Sequence, residues 1–406
     1  MHKKILLISN AYFPSIGGIE NSLRHLAQEA CASGDDVEIV VSDLGLSAQQ
    51  REKRTEMVDG VLVNRYPLQP ISNKLLGVFN IISSNFLLFQ LLRKKRQESP
   101  DTLVIARFHF AALIASLAGF KQVRYLVPSI FSVQVSHENS ESLSWTIRLR
   151  NRLKVLLHST VQRIALRRTD VFVFSDTMKL QCSQLIGKKR ITYTIVKPGV
   201  DAKRFFPVKE KQRNELKSQL NLPIDKPLIL FVGRFVKAKG VNTLLNAIAK
   251  IETACHLILV GEGDELAGYK KAMKNLAIVS DVSIIPPLRE VEDYYRCADM
   301  FVMSSTYEPL GQTILEAFAS GLPVVAFKKS DFVNTATQEL GMDNYVSYAN
   351  RYSDVDLSHA IEEQFTKNIK LDRTLIAREA NTNFSWNKLY NDLVNGPSSI
   401  GSQAWP

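Results

Sequence analysis

The sequence predicts an α/β protein built from two doubly wound domains, and three observations carry that expectation. Along the first half, short β-branched runs alternate with longer helix-periodic stretches. After Lys197-Pro198-Gly199-Val200-Asp201, a charged, weakly apolar stretch from Lys203 to Asn221, closed by Pro223, interrupts the pattern. The alternation then restarts and runs to Phe327. Apolar strands separated by helices signal a mostly parallel sheet covered on both faces. The chain has 406 residues, long for one domain and comfortable for two of ordinary size.

In the first half the expected strands are 5–8, 37–42, 61–66, 103–106, 123–127, 171–174 and 194–196. Helical patterns at 19–31, 74–96, 110–117, 144–168 and 177–186 separate many of them. The second half reads strand 228–232, helix 241–251, strand 257–260, helix 265–276 and strand 282–285. It continues with a short helix near 291–297, strand 300–303, helix 312–319 and strand 323–327. The expected domains are 1–200 and 201–382, followed by a helix and tail at 383–406 whose pattern leaves open whether it packs back on the first domain. Two such domains leave a cleft into which the C-terminal ends of both sheets present loops.

Hydrophobic residues make up 45% of the chain, enough for each half to bury a core. The balance of 51 basic against 40 acidic residues gives +11. That excess suits a polyanion, an anionic membrane surface or phosphorylated substrates, and does not choose among them. The four cysteines are far apart and form no CxxC pair, so they read as buried or half-buried free thiols of a reducing compartment. The apolar run at 5–8 is too short for the core of a secretory signal. No window holds 18 uninterrupted apolar residues, so no spanning helix is expected. The expected location is the cytoplasm, with the inner face of the membrane left open.

Three constellations bear chemistry. Just past the first strand, Pro14-Ser15-Ile16-Gly17-Gly18-Ile19-Glu20 enters a helix through paired glycines. Such an entry lets backbone approach a ligand and offers free N–H groups to an anion; a plain tight turn is the alternative. The second is Gly233-Arg234-Phe235 followed by Lys237-Ala238-Lys239-Gly240, between a strand and a helix. Arg234 can fork around phosphate oxygens and Lys239 can supply a point charge, or both can be solvated surface cations. The third is Glu308-Pro309-Leu310-Gly311-Gln312-Thr313-Ile314-Leu315-Glu316. Gly311, Gln312 and Thr313 begin a helix whose N–H groups can face a phosphate. Glu316, one turn further, can accept from two hydroxyls or simply face solvent.

These pieces resemble the retaining glycosyltransferases of the family 4 type (glycosyl transferases group 1), including sucrose synthase-like enzymes and mannosyl- and glucosyltransferases of bacterial polysaccharide and lipid assembly. Further segments join the resemblance: Ser175-Asp176-Thr177, Lys197–Asp201 in place of a more usual PNGVD, Val260-Gly261-Glu262-Gly263 and Phe384-Ser385-Trp386. The resemblance implies a GT-B fold, two Rossmann-like domains facing across a cleft, with the acceptor on the first and a nucleotide diphosphate sugar, UDP- or GDP-linked, on the second. It further implies that Arg234 and Lys239, with Gly233 beside them, bind the diphosphate and that Glu316 holds the ribose. Glu308 would lie by the transferred hexosyl group, Gly311 to Thr313 would cradle phosphate, and Gly17 and Gly18 would close the site from the first domain. No cofactor and no metal are expected. The acceptor is a glycan, lipid-linked or small-molecule hydroxyl.

One departure stands out. Many members carry a histidine after the fifth strand, where this chain reads Arg124-Tyr125-Leu126-Val127-Pro128-Ser129. His109 and His137 are the substitutes on offer, His109 being either catalytic or a packed residue. On the acceptor side, 75–92 is rich in Phe, Leu and Ile and ends in Arg93-Lys94-Lys95-Arg96. Between Thr146 and Thr169 stand seven Arg or Lys and no acid. Basic amphipathic helices suit a peripheral contact with anionic membrane; packing on the sheet with a solvated face is the other reading. Two other functions fit the same chain: a nucleotide-sugar epimerase on this fold, or a non-catalytic protein binding anionic surfaces or nucleic acid. No zinc finger or RNP-like strand supports a nucleic-acid partner.

Overall fold

The computed structural model describes residues 2–15, 17–47, 49–68, 77–138, 145–187, 191–368 and 371–396. The chain divides into two compact units. Met1–Val133, Leu143–Lys197 and Trp386–Pro406 form the first, and Gln134–Ser142 with Pro198–Ser385 form the second.

In the first unit eight strands make one sheet: β1 (Lys4–Ile8), β2 (Asp36–Ser42), β3 (Thr55–Val58), β4 (Val61–Tyr66), β5 (Leu103–Ala106), β6 (Gln122–Leu126), β7 (Asp170–Val173) and β8 (Tyr193–Ile195). Their order is β3-β4-β2-β1-β5-β6-β7-β8. Every pairing is parallel except β3 with β4. That hairpin lies outside the sequence expectation, although Asp59-Gly60, both at positive φ, is the signal for its two-residue turn. Strand β3 escapes pattern reading because it has no buried residue.

The five expected helices appear as Gly18–Ala32, Gly77–Glu98, His109–Leu117, Trp145–Arg168 and Asp176–Ile186. Positions 74–76 and Ser144, placed in helices by the sequence pattern, and Ile16 of the glycine motif lie outside the described residues. Ser175 caps the last of these helices by accepting from the Met178 N–H at 3.1 Å. Both faces of the sheet are covered. On one face Leu88, Leu92, Ala112, Ala115, Ala165 and Leu166 come together. On the other, Leu23, Leu26 and Ala27 meet Trp386, Leu389, Tyr390 and Leu393.

The terminal helix Trp386–Asn395 thus belongs to the core of the first unit. Trp386 stacks on His25 with centroids 4.8 Å apart, and the Tyr390 hydroxyl donates to Asp35 at 2.6 Å. Lys3 Nζ donates to the Val394 carbonyl at 3.1 Å, and Arg124 donates to that of Leu393. Two cations therefore satisfy carbonyls that the helix end leaves unpaired.

In the second unit, β9 (Leu228–Val232), β10 (His256–Val260), β11 (Val282–Ile285), β12 (Met300–Met303), β14 (Val324–Phe327) and β16 (Val346–Ala349) form a parallel sheet. Its order is β11-β10-β9-β12-β14-β16. A separate two-residue pair joins β13 (Tyr307–Glu308) to β15 (Asn334–Thr335).

The stretch 203–221, read from sequence only as a charged break, contains the helix Glu210–Gln219. It packs through cations. Arg213 pairs with Asp299, Lys217 Nζ lies 3.7 Å from the same carboxylate, and Asp299 also accepts from the Leu228 N–H at 2.8 Å. Long basic side chains bury their stems while their heads find a carboxylate, so a buried face carries no apolar periodicity. The pattern also continues past Phe327 through β16 and the helices Asp354–Asn368 and Arg373–Asn383. Cys182, Cys255 and Cys297 are buried as expected, but Cys31 is exposed, on the outward face of Gly18–Ala32. Among the described residues no helix is long and apolar enough to cross a membrane.

Leu389 is fully buried in the terminal helix. Leu389→Ala is expected to destabilise the protein by about 2–5 kcal/mol. A chemical denaturation curve superposing on wild type would show that this helix carries no share of the stability of the first unit.

Candidate functional site

The second sheet reverses its strand order between β9 and β12, so the loops leaving those neighbours diverge and open a crevice at their C-terminal ends. The first of these loops carries Gly233, Arg234 and the turn Lys237–Lys239; the second runs from Ser304 to Gly311. They are bound to each other by backbone. The Thr306 N–H donates to the Ala238 carbonyl at 2.8 Å, and the Ser304 hydroxyl donates to that of Lys239 at 2.8 Å. Gly240 sits at φ 65°, where an added Cβ would lie 2.0 Å from the Ser304 carbonyl oxygen. Only glycine permits that approach.

This clasp brings Lys239 and Glu308 together. Lys239 Nζ is in contact with Glu308 Oε2, and the Gly311 N–H donates to Oε1 at 3.2 Å. Both side chains are largely enclosed, at 17% and 14% exposure. Gly311, at φ 76°, then opens the helix Gln312–Ala319. The Gln312 side chain donates to the Gly199 carbonyl at 3.2 Å, which ties Lys197–Asp201 to the helix start. Thr313 is partly exposed in the first turn, and Arg234 and Lys237 are exposed. The loop after β10 buttresses the whole: the Phe235 N–H donates to the Glu262 carbonyl at 2.6 Å, and a Cβ on Gly261 would lie 2.0 Å from the Gly233 carbonyl oxygen.

Glu316 keeps some solvent contact, yet burial pushes its carboxyl up to about 7. The Tyr295 hydroxyl, donating at 2.9 Å, and the positive charge of Arg204 counter that shift, while Glu292 adds to it. Arg204 is itself engaged with Glu292 at 2.6 Å. Tyr295 and Arg204 were not singled out by sequence. Arg204 stands three residues beyond Lys197–Asp201, the one signal that pointed near it, while Tyr295 has no sequence signal at all. Among the described residues no group of three or more His, Cys, Asp or Glu is placed to hold a metal ion.

Gly17, Gly18 and His109 belong to the first unit, whose sheet reverses order between β1 and β5. Gly17, in extended backbone, precedes the helix Gly18–Ala32, and among the described residues beyond its chain neighbours and its own helix backbone none comes within 4 Å of where a Gly18 Cβ would be. Burial raises the Glu20 carboxyl in the first turn, against the lowering pull of Arg107. After β5 comes Arg107, fully buried over the Phe174 ring and donating to the Leu126 carbonyl at 3.0 Å.

His109 begins the next helix and is buried among Phe108, Phe110 and Phe131. Its Nε2 shares a hydrogen bond of 2.9 Å with His158 Nδ1. Burial, with the nearby His158, lowers its pKa to about 3. His109 is therefore a packed ring that burial holds neutral. His137, grouped with the second unit, stacks on Tyr307 with centroids 5.1 Å apart, beside Glu308.

Residues 17–193 match the Glycosyl transferase 4-like domain, and residues 212–378 match the family described as Glycosyl transferases group 1. The chain belongs to the group 1 glycosyl transferases. This glycosyltransferase is 25% identical to a GDP-mannose-dependent alpha-mannosyltransferase of Mycobacterium tuberculosis over 80% of its own length and 78% of that protein's. It is 36% identical to a lipopolysaccharide core biosynthesis glycosyltransferase of Rhizobium meliloti, over 27% of this chain and only 32% of that relative. Sucrose-phosphate synthase from Thermosynechococcus elongatus aligns with a TM-score of 0.77 and 20% identity, covering 97% of this chain and 98% of that one. The shared architecture is the GT-B fold, so both doubly wound sheets of this glycosyltransferase are those the resemblance implied.

Two predictions follow from this geometry. Gly240→Ala forces a Cβ onto backbone and is expected to cost about 2 kcal/mol or more; unchanged urea unfolding would show that the two loops are not clasped as described. Glu316 binds a proton more readily folded than unfolded. Its stabilising share is full below its ordinary value of 4.5 and is lost as pH rises through about 7. Glu316→Gln removes that loss. The variant should match wild type near pH 4.5 and exceed it by up to about 3 kcal/mol at pH 8. Equal stabilities at pH 8 would show that the carboxylate is not held against burial.

Proposed function

We propose that this glycosyltransferase moves a hexosyl group from a UDP- or GDP-linked sugar to a hydroxyl acceptor with retention at the anomeric carbon, without a divalent metal. The observation that carries the reading is the clasped pair Lys239–Glu308 at the start of Gln312–Ala319, with Glu316 one turn further along the same helix. Helix N–H groups and a lysine converge where a leaving diphosphate needs neutralising. Glu316, once ionised, has two oxygens for the ribose hydroxyls. A nucleotide-sugar donor also agrees with the mannosyltransferase relative, whose name specifies GDP-mannose.

In this reaction the acceptor oxygen forms a bond to the anomeric carbon as the bond to the β-phosphate oxygen breaks. The acceptor's proton passes to a phosphate oxygen on the same face of an oxocarbenium-like sugar. Arg234, Lys239 and the Gly311–Thr313 helix start hold the charge that develops on the phosphate. Lys239 then exchanges its contact with Glu308 for phosphate, which leaves Glu308 free to face the sugar. A strong base is dispensable when the barrier is governed by charge on the leaving group. The low basicity of His109 agrees with such a route.

The decisive assay starts with a panel of UDP-, GDP- and ADP-sugars scored by protection against thermal unfolding, followed by transfer rates on the donor that protects. Lys239→Ala and Arg234→Ala should each lower transfer by about 10²-fold or more with the fold intact. Glu308→Gln should slow turnover similarly while nucleoside diphosphate affinity holds or rises, because the lysine loses its competing carboxylate. Near-wild-type turnover in both cation variants would sink the diphosphate assignment. Excess EDTA should leave the rate unchanged, and His109→Ala and His137→Ala should each cost less than the roughly 10²-fold expected of a general base. Loss of activity in EDTA with rescue by magnesium or manganese would refute the metal-free route.

A further inference from the structure

The helix Trp145–Arg168 of the first unit has two unlike faces. Its inner face is fully committed. Gln162, without solvent exposure, donates to the Tyr125 hydroxyl at 3.1 Å and the Ser129 carbonyl at 2.8 Å, and accepts from the Phe131 N–H at 3.1 Å. Ala165 and Leu166 are buried in the core, and His158 stacks on Phe131 at 4.0 Å. Half a turn away stand Leu149, Leu153, Leu156, Leu157 and Ile164, all exposed, with Leu153 at 59% and Leu156 at 64%. At 3.6 residues per turn these five positions form one stripe along the helix.

The charges are arranged around that stripe. Arg148 and Arg152 fall on one side of it by the same spacing, and Arg150 and Lys154 on the other. Arg163, Arg167 and Arg168 continue the cationic surface toward the C-terminus, and the helix contains no acidic residue. A solvated face would not hold five large aliphatic side chains in register. A nucleic acid would meet the cations but leave the leucines wet. A second copy would set seven cations against seven. An anionic bilayer accepts both features at once: leucines enter the acyl boundary while arginines reach phosphate oxygens.

We propose that this face of Trp145–Arg168 docks the protein on an anionic lipid bilayer, lying in the plane of the surface without crossing it. The helix Gly77–Glu98 strengthens the assignment. It packs against the same helix, His109–Leu117, that Trp145–Arg168 packs against, and it exposes Ile82, Phe86 and Leu87 ahead of Arg93 and Lys94. Two apolar, basic helices thus flank one buried helix of a single layer. The surface belongs to the first unit alone and does not depend on the donor chemistry proposed above.

The test is co-sedimentation of the full chain with large unilamellar vesicles, either pure phosphatidylcholine or phosphatidylcholine containing about one third phosphatidylglycerol. Binding is expected to the anionic vesicles, to fall with added salt, and to be at least about tenfold weaker on neutral ones. Leu153→Asp and Leu156→Asp should abolish it. Arg150→Gln and Lys154→Gln should each weaken it about fivefold. Leu375→Asp, at an exposed leucine of the second unit, should leave it unchanged. Circular dichroism and thermal midpoints confirm that each variant is folded. Equal binding of wild type and Leu153→Asp, or no preference for anionic lipid, overturns the proposal. So does a vesicle-independent dimer in sedimentation velocity that Leu153→Asp dissociates, which would assign the face to a second copy.

Discussion

The chemistry of the second unit rests on one steric constraint: the backbone of Gly240 lies against the Ser304 carbonyl with no space for a side chain. That approach fixes the loop after β9 to the loop after β12, and the hydrogen bonds from Ser304 and Thr306 hold it there. Lys239 is carried on one loop and Glu308 on the other. Their ion pair is therefore a consequence of backbone packing rather than of two long side chains finding each other in solvent. A pair enclosed in this way is already ordered before any ligand arrives, so little freedom is left to lose on binding.

The same region holds charge where folding alone would not place it. Glu316 carries a carboxyl raised by burial, against the lowering pull of the Tyr295 hydroxyl and the neighbouring Arg204. A neutral residue would be more stable there. A carboxyl held against burial beside a topological switch point suits a site whose ligand supplies the compensating partner. Elsewhere in the unit one carboxylate is paired twice over. Asp299 draws in Arg213 and Lys217 and holds the Leu228 N–H, which turns a polar helix into a structural one.

In the first unit the polar groups serve packing more than chemistry. Arg107 is buried over Phe174, and His109 and His158 share one hydrogen bond inside an aromatic cluster. The basic excess of the chain is instead placed outward, most densely on Trp145–Arg168. The terminal helix closes the opposite face of the sheet, with Lys3 and Arg124 satisfying its last carbonyls.

The sequence by itself determined the two parallel sheets, because nearly every central strand is an apolar run bounded by turn residues and followed by a helix. It also marked the loops of the second unit, since glycines, Arg234, Lys239 and the Glu308–Glu316 segment stand at fixed places after strands. The elements it missed lack that signal: β3 has no buried residue, and Glu210–Gln219 packs through ion pairs. What only the tertiary structure decided is which groups share an environment. Tyr295 reaches Glu316 from another helix, Glu308 meets Lys239 across 69 positions, and His109 finds His158 and becomes a packed ring. Periodicity reports how each segment faces the core, but contacts between segments depend on strand order, and local sequence does not encode that order.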